Sequence, residues 1–188
     1  ANNTIGIGNV AIGYYASLSN TTGNYNTAVG SQALFANTIG TNNSAFGYKA
    51  LRYNTTGQYN TSVGRYSLLN NTTGGNNTAL GVNTLINNTT GSRNTAVGME
   101  SLYYNNVGNN NSAFGYQALL NNTTNNNSAF GYKALSANTT GHRNAAFGNK
   151  ALINNTIGNY NVAMGHQTLF SNTIGDFNIG IGDEALYN

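Results

Sequence analysis

Short runs in which apolar and polar side chains alternate recur along the chain, each cut off by glycine: N-T-A-V-G at Asn26 to Gly30, N-S-A-F-G at Asn43 to Gly47, N-T-S-V-G at Asn60 to Gly64. Alternation with a period of two predicts a strand, and bordering glycines predict bends. The runs return every 17 residues, with a single 16-residue step between Asn111 and Asn127, where Thr124 runs directly into Asn125 and the usual glycine is missing. Seventeen residues cannot hold two helices and a turn, so each unit is predicted to be one strand-bearing coil. Antiparallel hairpins favour Asn-Gly or Asp-Gly turns, and neither dipeptide occurs despite 24 glycines. The expected fold class is therefore all-β, a parallel β-solenoid of eleven coils filling residues 1–188 as a single repeat domain with uncapped ends.

Written as columns one to seventeen, the consensus is N-T-(T/I)-G-x-x-N-(T/S)-A-(V/F/I/L)-G-x-x-A-L-x-x. Column one is Asn3, Asn20, Asn37, Asn54, Asn71, Asn88, Asn105, Asn122, Asn138, Asn155 and Asn172. Column seven is Asn9, Asn26, Asn43, Asn60, Asn77, Asn94, Asn111, Asn127, Asn144, Asn161 and Asn178. In a parallel stack each residue lies about 4.8 Å above its equivalent, giving a rod on the order of 50 Å long and turning each Asn column into a ladder of axial amide hydrogen bonds. Column eleven is glycine in every unit, from Gly13 to Gly182, which marks a corner needing positive φ or close backbone approach.

Column ten is always large and apolar: Ile12, Val29, Phe46, Val63, Leu80, Val97, Phe114, Phe130, Phe147, Met164 and Ile181. Column nine is Ala except at Ser62 and Gly180, and column fifteen is Leu except at Ser17. Columns eight and ten point to one side of the strand and columns seven and nine to the other. Both faces are expected to be buried, one against the coil's own core and the other in a lateral contact; which is which stays open.

Composition adds order by repetition: 39 asparagines, no Pro, Cys or Trp, and 6% charged residues exclude an ordinary globular surface, while 39% apolar content excludes a disordered tail. A formal charge of +3 without a basic stripe gives no grip on phosphates, so nucleic acid is not an expected partner. There is no long apolar run for membrane insertion and no leader of the export type in the sequence given.

N-V-A-I-G at Asn9 to Gly13, N-T-A-V-G-S-Q-A-L at Asn26 to Leu34 and N-S-A-F-G-Y-K-A-L at Asn43 to Leu51 resemble the N-S-V-A-I-G type repeats of trimeric autotransporter adhesin heads, and related repeats of phage tail fibres and bacterial surface proteins. The resemblance covers the whole chain. It implies a left-handed parallel β-roll, association of three chains about one axis, and a head that binds host matrix or cells. Coils of 17 residues are longer than is usual in that family, and no neck, stalk or membrane anchor accompanies them.

Catalysis is not expected. Charged residues and both histidines fall in variable columns at turns: Lys49, Lys133, Lys150, Glu100 and Glu184 in column thirteen, Arg93 and Arg143 in column six, Arg65, His166 and Asp183 in column twelve, His142 and Asp176 in column five, Arg52 in column sixteen. His166 lies one coil from Asp183, a spacing that predicts a solvated surface pair. No cofactor or metal is expected: glycines in I-G-I-G at Ile5 to Gly8 and Ile179 to Gly182 lack the lysine of a phosphate loop, and the two Asp of the chain cannot supply a calcium ligand per repeat. No pocket is expected in so thin a rod. N-T-T sequons such as those at Asn20, Asn54 and Asn88 cannot carry glycans if column one faces inward.

Three functions fit this pattern. The first is an extracellular structural element that self-associates laterally or head to tail, as homopolymer or homotrimer; Asn2 and Asn188 both fall in column seventeen, so successive copies are nearly in register. The second is an adhesin or tail-fibre module that binds glycan or protein on a host surface through Tyr14, Tyr48, Tyr116 and Tyr132 of column twelve, with Tyr25, Tyr59, Tyr160 and Phe177 of column six beside them. The third is ice binding through the column-two Thr file, broken only at Asn106.

Overall fold

The computed structural model describes residues 2–188. Eleven three-residue strands, one per coil, run through it: β1 (Val10–Ile12), β2 (Thr27–Val29), β3 (Ser44–Phe46), β4 (Thr61–Val63), β5 (Thr78–Leu80), β6 (Thr95–Val97), β7 (Ser112–Phe114), β8 (Ser128–Phe130), β9 (Ala145–Phe147), β10 (Val162–Met164) and β11 (Ile179–Ile181). They form one parallel sheet in chain order. Register is strictly by column: Thr27 pairs with Ser44, Ala28 with Ala45 and Val29 with Phe46, and the short coil keeps step, with Phe114 opposite Phe130. The molecule is a parallel β-solenoid, and among the described residues there is no helix.

Turns make up the rest of each coil. The column-fourteen amide bonds back to the column-eleven carbonyl, as Ala33 N to Gly30 O at 3.2 Å, and the column-one amide to the column-fifteen carbonyl, as Asn37 N to Leu34 O at 3.4 Å. Three non-glycine positions per coil sit in the left-handed region: column six (Tyr25, φ 55°), column thirteen (Gln32, φ 59°) and column fifteen (Leu34, φ 50°). Stacking rather than side-chain preference enforces these angles, because the backbone of each turn donates to its neighbours: Gln32 N to Tyr14 O at 2.8 Å and Leu34 N to Ala50 O at 2.9 Å. Column eleven admits only glycine for a second reason. A Cβ on Gly148, whose φ is 142°, would lie 2.2 Å from the carbonyl oxygen of Gly165 one coil on.

The core is narrow and half of it is polar. Column-nine alanines and column-fifteen leucines from Leu34 to Leu152 are fully buried, and so are the Asn side chains of the inner coils. This decides which strand face is the core: the Ala face is inside, whereas Phe46, Val63, Phe147 and Met164 on the other face are exposed in the single chain. A side chain as small as alanine or serine leaves room at the coil's centre for leucine from the opposite turn and amides from the two corners. Where columns nine and fourteen carry hydroxyls, each finds an acceptor within the coil stack: Ser62 Oγ donates to Ser67 O at 2.8 Å, Ser67 Oγ to Ala79 O at 3.0 Å, and Thr84 Oγ1 to Gly98 O at 2.8 Å.

Candidate interaction surface

The two Asn columns meet at one carbonyl. In column one, Asn37 Nδ2 donates to Asn20 Oδ1 at 2.8 Å and to Gly40 O of its own coil at 3.0 Å. In column seven, the backbone N of Asn43 donates to Asn26 Oδ1 at 3.0 Å, while Asn43 Nδ2 reaches Gly57 O in the next coil at 2.9 Å. From the second coil on, each column-four glycine carbonyl therefore receives an amide from its own coil and another from the coil before, as Gly57 O does from Asn54 and Asn43. A side chain on that glycine would collide: a Cβ on Gly57 lies 2.3 Å from Asn54 Oδ1 and 2.4 Å from Gly74 O.

The short coil is where the wiring changes. With its glycine missing, Thr124 O receives Asn111 Nδ2 at 2.7 Å and Asn122 Nδ2 at 2.9 Å. Asn122 Oδ1 is taken by Asn127 Nδ2 at 2.9 Å and Asn138 Nδ2 at 2.8 Å, and no donor reaches the buried Asn105 Oδ1. Column one is broken at that rung. Column seven runs through it, with Asn127 N on Asn111 Oδ1 at 2.9 Å. Asn20, Asn54, Asn88 and Asn138 are buried, so their sequons face the inside of the folded rod.

Outside, column ten forms a continuous apolar file with the column-eight Thr, Ser and aliphatic residues beside it. Its central rings stack at the strand spacing: Phe114 on Phe130 with centroids 4.7 Å apart and Phe130 on Phe147 at 4.8 Å, the ring planes nearly parallel in both pairs. Tyr116 and Tyr132 of column twelve stack at 5.6 Å, whereas Tyr14 stands beside Tyr15 and Tyr48 beside Tyr66, so the four column-twelve tyrosines form one pair and two separate sites. Tyr160 stacks on Phe177 in column six at 4.9 Å.

Cations take aromatic faces: Lys49 lies 4.8 Å from the Tyr48 centroid, Arg52 4.6 Å from Tyr53, Arg65 4.6 Å from Tyr66, Lys133 5.4 Å from Tyr132 and Arg143 5.2 Å from Tyr160. Hydrogen bonding from Arg65, reinforced by the positive charge of Lys49, holds the Tyr66 phenol below its ordinary value. The Tyr14 phenol is raised, chiefly by its hydrogen bond with Tyr15. His166 Nδ1 and Asp183 Oδ1 are 2.9 Å apart, half and mostly exposed respectively, as a solvated surface pair.

Two clefts depart from the expectation that so thin a rod has no pocket: one lies at the last coil, between Leu169 and Leu186, and the other is in mid-rod. Glu100, Tyr103 and Tyr104 of one coil and Gln117 and Leu120 of the next line the mid-rod one, an open cleft of about 230 Å³. The signal for it lies in the column numbers: thirteen and sixteen flank the same turn, and Glu100 with Tyr103 is the one mid-rod coil that sets a carboxylate beside an aromatic ring there. Comparison of the chain with protein-family models, curated proteins and solved structures found no match.

Proposed function

We propose that the chain is an extracellular structural rod of a cell surface or virion fibre, whose copies associate through the outward column-ten file into a homopolymer or homotrimer. The observation that carries this reading is the apolar file itself, which runs along the outer face of the sheet from Ile12 to Ile181 with every member exposed or half-buried in the single chain. A strip of that length is characteristic of an interface rather than of a surface made for water. Stacked phenyl rings at Phe114, Phe130 and Phe147 supply a stiff, flat centre for such a contact. Axial joining is supported too, because every coil presents the same rows of donors and acceptors along the axis, and a contact of that kind generates open fibres. Likeness to adhesin-head and tail-fibre repeats supports the extracellular setting.

Light scattering and negative-stain electron microscopy of the purified chain test the proposal. Filaments of uniform width support the polymer, and discrete rods of about three chain masses support the trimer. Phe130→Asp places a charge in the middle of the file without touching the core and should reduce lateral association by at least about tenfold in dissociation constant, as expected when a buried charge goes unpaired. A wild-type chain that stays dispersed at its own mass of 19.7 kDa at high concentration overturns it.

A second reading, an adhesin or tail-fibre module for glycan or protein, draws on the Tyr116–Tyr132 stack, whose partly open faces suit sugar rings. Its test is a glycan array on which Tyr116→Ala and Tyr132→Ala abolish binding; an empty array counts against it. Ice binding draws less support, because column-two hydroxyls are engaged along the stack by the carbonyl of the next coil, as Thr21 Oγ1 donating to Thr38 O at 3.0 Å and Thr139 Oγ1 to Thr156 O at 3.0 Å.

A further inference from the structure

We infer that the cleft between Glu100 and Tyr104 is a binding site for a small organic cation of the alkylammonium class. Its chemistry is wholly electron-rich. Glu100 is the one side-chain carboxylate outside the last coil, where Asp176, Asp183 and Glu184 lie, and no cationic side chain pairs with it among the described residues. Gln117 Nε2 donates to Glu100 Oε2 at 2.8 Å, which holds the carboxylate toward the cleft. Because an ionised carboxylate only accepts, the amide nitrogen must face it, and the Gln117 carbonyl oxygen is left as a second acceptor beside the free Glu100 Oε1.

Tyr103 and Tyr104 complete the site as an aromatic pair, with centroids 4.7 Å apart and planes at 65°. Rings set at that angle offer a negative face to a cation while Leu120 covers its alkyl tail. Elsewhere on this rod five of the seven Lys and Arg side chains lie over aromatic rings, so the chain's own surface shows which charge such faces take. An ammonium suits the cleft better than a guanidinium. The forked group needs both carboxylate oxygens, and one of them is already held by Gln117.

The test is saturation-transfer NMR with n-butylammonium chloride, which reads weak ligands on monomers and large assemblies alike. Transfer to the butyl protons should saturate, and Glu100→Gln should weaken the affinity at least about tenfold, the loss expected when a charged hydrogen-bond acceptor is removed. Tyr104→Leu should weaken it as well. Glu184→Gln, at the exposed last-coil position of the same column, should leave it unchanged. Equal affinity in the Glu100→Gln chain overturns the site, since the signal then comes from scattered aromatic rings. Equal saturation with uncharged 1-butanol overturns it as a cation site, and Glu100-dependent saturation by methyl glucoside instead assigns the cleft to a sugar.

Discussion

Asn94 shows at the scale of one residue what an invariant column does. Its Nδ2 donates to Gly108 O at 2.8 Å and Asn77 Oδ1 at 3.2 Å, and its own Oδ1 accepts the backbone N of Asn111 at 3.0 Å. Asn94→Ala strands that buried backbone donor and is expected to cost about 1–3 kcal/mol, read as a lower denaturation midpoint. The two Asn columns and their spacing are legible in the sequence because strict identity at a fixed period has few other causes. The inside and outside of the strand are not, since the usual rule that large apolar residues go inward is reversed here: alanine faces the core and Phe114 or Phe130 faces out. The left-handed leucines of column fifteen are equally unreadable, because leucine carries no preference for positive φ. That strain offers a second test. Lys150 has φ 57° in a column where Asn83, at 56°, occupies the same conformation. Lys150→Asn is expected to stabilise the chain by up to about 1 kcal/mol, and Lys150→Val to destabilise it, because a β-branched residue tolerates the left-handed region worst.

At the scale of the coil, one deleted glycine changes the wiring without changing the register. Thr124 stands in for it: its carbonyl takes both incoming amides, and its hydroxyl donates to Gly141 O at 2.6 Å. The sequence shows the 16-residue step, whereas the orphaned oxygen of Asn105 becomes visible only once Asn122 Nδ2 is seen to donate to Thr124 O instead. Inserting glycine between Thr124 and Asn125 is expected to return Asn122 to Asn105 and raise stability by about 1 kcal/mol, measured as the midpoint of chemical denaturation. A midpoint that falls would show that the bonds made by Thr124 and Asn127 outweigh the missing rung. The Glu100 cleft belongs to this scale as well: it exists because a turn in one coil lies against the same turn in the next, and a reading column by column sees Glu100 only as a surface charge.

At the scale of the whole rod, neutral amides rather than charges hold the coils together. Among the described residues the one ion pair is that between His166 and Asp183, and it is exposed. Denaturation free energy is therefore expected to vary by less than about 0.5 kcal/mol between low salt and 1 M sodium chloride; a larger fall would reveal ionic contacts, including those made between copies. Fold class was open to the sequence at this scale, because periodicity alone restricts the architecture, but the surface that meets a partner was not. The same constant register governs how the rod assembles itself. Every bond that stacks one coil on the next joins residues about one period apart, so no step has to close a loop longer than a single turn of the solenoid. Once two adjacent coils have formed, each later coil adds at the same entropic cost as the one before it. Folding then proceeds as propagation from a nucleus, and the nucleation barrier of a longer array is no higher than that of a short one.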